Sequence, residues 1–366
     1  MNMRSAGAMC ILISATTLAA DAPGFRTQEI ATGLGVVYAV SIADVNADGK
    51  PDIVAINPTQ ILWFENPGWA KHVVAERVTA HDNVAIAPYD IDGDGKLDFA
   101  LGADWQPTNT NSGGSLHWVS QSGKVHDIAA EPRTHRIRWI DVDGDGRPEL
   151  VVVPLHGRGT TAPSWTNGPG SRVLVFHVPA KPDQETWPME VADSSLHITH
   201  NFIGVNGEIW VASTEGIYAL KRQGEGKWSK RRIAEGQPGE IKLGRVNGAR
   251  HLATVEPWHG NSVVVYKETP SAWTRTVVDA SLNQAHALGW ADFDGDGDDE
   301  LAAGWRGKPW GLVLYKFTGG AWKKTMIDDG VAVEDLAIAD LNADGRPDIV
   351  AGGRATGNIR IYGTSK

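Results

Sequence analysis

Five copies of one nine-residue pattern, D-x-[DN]-x-D-G-x-x-[DE], set the tightest limit on what this chain can fold into. Their ligand positions are Asp44, Asn46, Asp48 and Asp52; Asp90, Asp92, Asp94 and Asp98; Asp141, Asp143, Asp145 and Glu149; Asp292, Asp294, Asp296 and Glu300; and Asp340, Asn342, Asp344 and Asp348. Oxygens at positions 1, 3, 5 and 9, with a glycine after the third to turn the chain sharply, suit a hard cation taking six or more oxygens, so about five structural Ca²⁺ sites are expected. Apolar runs such as "AVSIAD" and "LGWAD" precede the loops, and "DIVAIN", "ELVVV" or "ELAAG" follow them. These read as buried strands. An EF-hand would need helices on both sides and a bidentate glutamate at position 12.

A third strand follows each pair, from "ILWFEN" to "IRIYG", and a fourth opens on an aromatic, as in "WAKHVVAE" and "WTRTVVDA". Counting third strands gives seven units of four. Two units, at 203–212 and 243–255, keep a short turn where the acids would be. The last unit lacks a fourth strand, and "FRTQEIATG" (25–33) has the pattern to supply it. The expectation is an all-β, seven-bladed β-propeller of four-stranded blades spanning 21–366, its ring closed by an N-terminal strand that completes the last blade. The 42 glycines and 15 tryptophans agree with many tight turns and aromatic-anchored strands.

Residues 1–20, with Arg4, a short apolar run and small residues near Ala20, read as a signal peptide, so the protein is expected to be secreted or periplasmic, without a membrane span. The single cysteine, Cys10, lies in that segment, which excludes disulfides and thiol chemistry from the mature chain. A formal charge of −10 argues against a nucleic-acid partner.

The acidic loops followed by apolar strands resemble FG-GAP or VCBS repeats across residues 25–363. Within them, "WFENPGWAKHVV" (63–74) resembles blades from the propeller part of the aldos-2-ulose dehydratases and related secreted bacterial proteins. The first resemblance implies a calcium-binding propeller, and the second implies a sugar dehydratase.

Strand direction puts the calcium loops at one end of the blades and the strand starts at the other. Six residues before each loop stand Tyr38, Val84, His135, His286 and Glu334; the loopless blades place His200 and Ile241 there, and His81 precedes Val84. The loops on that face carry Trp105, His156, Arg158, Trp258, His259, Trp305, Arg306, Lys308 and Arg354, and two of them, 103–115 and 154–172, are long. Tryptophans beside fixed charges suit a carbohydrate ligand. Histidine and arginine suit proton abstraction beside a carbonyl followed by β-elimination. His81, His135 and His200 are expected either to hold a transition metal such as Zn²⁺ or to divide acid and base duties, with His286 in the same ring. Arg158, Arg306 or Arg354 would bind the keto or anionic end and Tyr38 would protonate the leaving oxygen. Trp105, His156, Trp258, His259, Trp305, Lys308, Arg354 and Glu334 would contact the sugar. A calcium-stabilised propeller that binds glycan or protein without turnover is the alternative. Oligomeric state is not legible.

Overall fold

A computed structural model describes residues 23–80 and 82–364; the signal-like segment 1–20 and His81 lie outside them. Seven four-stranded antiparallel sheets form the blades, and no helix occurs among the described residues. Their inner strands are Ala39–Ala43, Ala85–Tyr89, Thr134–Ile140, Asn201–Val205, Ile241–Val246, Ala285–Ala291 and Val333–Ala339, for blades 1 to 7. The second strands Asp52–Ile56, Asp98–Ala103, Glu149–Pro154, Glu300–Trp305 and Asp348–Gly353 are buried at every residue, because both faces of each sheet pack on neighbouring blades.

The ring closes as expected. Phe25–Ala31 pairs antiparallel with Ile359–Thr364 in blade 7, Thr27 opposite Tyr362. Phe25 also meets Phe293 of blade 6 edge-on at 5.7 Å, so the first strand ties the last two blades together. In blades 4 and 5 the inner hairpins turn on Asn206-Gly207 and Asn247-Gly248, both residues of each pair at positive φ, the signature of a two-residue turn that matches strand twist.

Where adjacent inner strands approach most closely, a glycine receives the neighbour's side chain. A Cβ on Gly204 would lie 3.1 Å from Ile140, one on Gly244 2.4 Å from Trp290, and one on Gly289 2.3 Å from Ile338. Gly244→Val is therefore expected to destabilise the protein by about 1–3 kcal/mol in urea unfolding, the usual cost of overpacking. Gly68→Ala, where a Cβ meets nothing within 4 Å, should stay within about 0.5 kcal/mol of the parent.

Candidate functional site

Three mouth residues sit on β-bulges. The register slips between Thr134 and Arg136, between Ala285 and Ala287, and between Val333 and Asp335, leaving His135, His286 and Glu334 as the unpaired residues at the starts of three inner strands. A bulge re-aims the side chain it carries. His200 stands just before the inner strand of blade 4, and the ends of the second strands deliver Trp105, His156, Trp258, His259, Arg306 and Arg354 to the same region. Asp104, Arg133, Trp165 and Trp258 hold positive φ, a conformation unfavourable for non-glycine residues and retained where surrounding structure dictates it.

Four imidazoles converge. His200 has ring centroids 4.8 Å from His135, 4.4 Å from His259 and 4.9 Å from His286. Hydrogen-bond chemistry fixes the proton positions. A guanidinium only donates, and Arg306 Nη2 lies 3.0 Å from His259 Nδ1, so that nitrogen accepts and the ring proton is on Nε2. His259 Nε2 then donates to His200 Nε2 at 2.7 Å, and His200 Nδ1 donates to the Gly239 carbonyl at 3.2 Å. His286 Nδ1 donates to the Glu334 carbonyl. Burial, aided by Arg136, Arg306 and neighbouring imidazoles, holds His135, His200, His259 and His286 well below the ordinary histidine range, and His156 is pushed down to about 3 by burial and Arg133. All five are neutral at pH 7.

Around them stands an aromatic cage. Trp105 stacks on His135 at 5.0 Å, Trp165 on His156 at 4.3 Å and Trp258 on His259 at 4.5 Å. Arg133 lies over the Trp105 ring at 4.3 Å. Both nitrogens of His135, both of His156, Trp258 Nε1, and the Nε atoms of Arg133 and Arg306 are buried and find no partner within the protein. Buried polar groups are ordinarily paired.

On the far side, Glu334 is clamped by two arginines. Arg306 Nη1 donates to both its oxygens at 2.9 Å and Arg354 Nη1 to Oε1 at 2.8 Å, with His286 Nε2 3.8 Å away. The Arg354 guanidinium is 5.9 Å from the Tyr38 ring, and Tyr38 donates to Asp82 at 2.7 Å; burial and Asp82 raise the phenol, which stays protonated. A cavity of about 330 Å³ along the inner strands is lined by Arg136, Arg138 and Asp335.

Not every expected residue joins this cluster. Trp305 is 6% exposed, packs in the apolar core beside Val313 and Tyr315, and donates to Pro309 O at a contact that holds it there. It is a packing residue. Lys308 lies over Trp310 at 4.8 Å, and Arg158 is drawn to Glu131 at 3.3 Å. Among the described residues, the imidazoles whose nitrogens fall within 4.8 Å of one another are His200, His259 and His286; of the expected trio, His135 and His200 are neighbours, and His81 lies outside the described residues. Arg133, Arg136, Trp165 and Asp82 were not anticipated. Arg136 had a signal, since alternation in "HRIRW" sets it on one face of an inner strand together with Arg138.

The acidic loops lie at the other end of the blades and share one backbone design. In each, the first aspartate accepts the N–H of the loop glycine, as Asp44 does from Gly49 at 2.8 Å and Asp340 from Gly345 at 2.8 Å, and that glycine has φ between 84° and 92°. The position-9 acid accepts an N–H from position 2, as Asp98 does from Ile91 at 3.0 Å. Burial and the other loop acids push Asp98 up to about 6. Hard oxygens crowded in this way fit Ca²⁺.

Five histidines held neutral by burial make stability pH-dependent with a definite sign. The unfolded chain binds protons near the ordinary value of 6.5 and the folded one does not, so stability is lost as pH falls below 6.5, for His156 down to about 3. Each such group costs up to about 1.4 kcal/mol per pH unit in that window. The melting temperature is expected to fall steadily from pH 7 to pH 5, and His156→Phe should flatten the slope.

Comparison with known proteins agrees with this architecture. A model of the FG-GAP-like repeat matches residues 44–101 and 292–351. Aldos-2-ulose dehydratase of Phanerodontia chrysosporium is 26% identical over 286 residues, covering 64% of this chain and 31% of the relative, so the chain spans about a third of that protein's length. Among solved structures, BBS1N in complex with ARL6DN shares the fold, in a mercury-soaked crystal with TM-score 0.59 at 12% identity, covering 93% of this chain and 96% of that one. The lead-soaked crystal gives 0.57 at 14%, covering 94% and 97%. The chain is thus a seven-bladed β-propeller with FG-GAP-like repeats that resembles aldos-2-ulose dehydratase.

Proposed function

We propose that this protein is an exported carbohydrate-active enzyme that removes water from a keto-sugar or uronide by β-elimination at the histidine-lined mouth. The observation that carries the reading is the set of buried nitrogens on His135, His156, Trp258, Arg133 and Arg306 that have no protein partner and lie inside an aromatic cage. A polyhydroxylated ring supplies oxygens for those nitrogens and C–H faces for the tryptophans. The similarity to a protein named a sugar dehydratase supports the same class.

In this reading neutral His135 takes the proton from the carbon next to the carbonyl or carboxylate. The C–H electrons move into the enolate, whose oxygen faces the Arg306 cation, held in place by Glu334 and His259. The enolate then re-forms the carbonyl or carboxylate as the β C–O bond breaks, and Tyr38 gives its proton to the leaving oxygen. His135 returns a proton to the tyrosinate, so the products are water, or a free sugar hydroxyl, and an unsaturated ketone or acid. At rest the buried imidazoles are neutral and none is an imidazolium, so the leaving oxygen takes its proton from the phenol and the imidazolium formed at His135 restores it.

The His200, His259 and His286 nitrogens are close enough to surround a metal ion. As bonded, however, His259 keeps a proton on Nε2 because Arg306 donates to Nδ1. We therefore read the triplet as a proton-sharing support for His135.

Keto-sugars and uronides should generate the ultraviolet absorbance of an unsaturated product. His135→Ala is expected to lower kcat by about 10²–10⁴-fold, with the fold retained by circular dichroism. Saturable sugar binding without any absorbance change, in parent and variant alike, would replace the enzyme with a binding propeller. A stoichiometric transition metal lost in His200→Ala would replace the proton-sharing triplet with a metal centre.

A further inference from the structure

The five acidic loops are not equivalent, because the loop of blade 6 carries its own cation. Lys316 Nζ meets Asp294, lies 2.7 Å from Asp296 Oδ2 and is 3.7 Å from Glu300 Oε1. Those are loop positions 3, 5 and 9, the oxygens a bound cation would need. The side chain is only 11% exposed, so the ammonium is held within the loop's concavity.

Position in the blade explains how it gets there. Leu301 pairs with Tyr315, so the next residue of the third strand, Lys316, stands beside Glu300. In blades 1, 2, 3 and 7 the same register places Glu65, Ser120, His177 and Gly363 beside the position-9 acid. None of these is a permanent cation. Basic groups do reach other loops, but on one ligand acid each: Lys50 at Asp48, Lys96 at Asp94 and Arg222 at Asp143.

The loop's own sequence diverges in the same place. Position 7 is basic in the other four, at Lys50, Lys96, Arg147 and Arg346, but is Asp298 here. Asp298 and Asp299 are used to accept the Asn247 N–H at 2.6 Å and the Arg245 N–H at 2.7 Å from the loopless blade 5. The two acids added to this loop thus face the neighbouring blade.

We propose that the ammonium of Lys316 substitutes for Ca²⁺ in blade 6, and that calcium occupies only the loops of blades 1, 2, 3 and 7. A divalent ion at the same oxygens would have to displace an ion pair and sit against a like charge. The loop joins the strand bearing His286 to the strand that ends before Arg306, so the corresponding part of the mouth is fixed without calcium.

Equilibrium dialysis of the chelator-stripped protein against Ca²⁺, with metal measured by mass spectrometry, tests this directly. The parent should bind four equivalents and Lys316→Met five, with a melting temperature in chelator lower than the parent's. Lys316→Gln serves the same comparison if the methionine variant does not fold. Five equivalents in the parent, or no gain in the foldable variant, would overturn the proposal. Neither readout depends on turnover, so the outcome is separate from that of the elimination chemistry.

Discussion

Closure of the ring by Phe25–Ala31 on Ile359–Thr364 is the pairing on which the remaining structure depends. Without it blade 7 would present a bare strand edge, and the contact of Phe25 with Phe293 that links it to blade 6 would be lost. Closure also forces seven strand starts onto one circle. Residues far apart in the chain, Tyr38 and Arg354 among them, become neighbours only for that reason.

Convergence has an electrostatic consequence. Arg136, Arg306, Arg354 and Arg133 crowd a small region together with five imidazoles, and Glu334 is shared between two of the guanidiniums. Protonated imidazoles there would add charge to charge, and burial opposes it further. The outcome is a neutral set of rings beside fixed cations, the arrangement on which the proposed elimination draws.

The two ends of the blades use the same strands for opposite purposes. Bulges at the starts of three inner strands turn His135, His286 and Glu334 into the mouth, while the tight glycine-containing loops at the other ends gather oxygens. In the assignment proposed for blade 6, the third-strand residue facing the position-9 acid supplies the cation that the loop oxygens need. Lys316 and His177 occupy one equivalent position and meet it with different chemistry.

Repetition made the fold legible: five acidic loops, aromatic-led fourth strands and an orphan N-terminal strand specify seven closed blades, since each element repeats a local pattern with a fixed physical meaning. The acidic loops between first and second strands and the histidines at strand starts were legible for the same reason. The site's partnerships were not. Nothing local in the sequence pairs His259 with His200, ties Arg306 and Arg354 to Glu334, buries Trp305 in the blade core, or brings Trp165 over His156. Those depend on bulge positions and on the path of long loops, where a one-residue shift redirects a side chain, so the sequence determined which chemistries were present and the tertiary structure alone decided which of them meet.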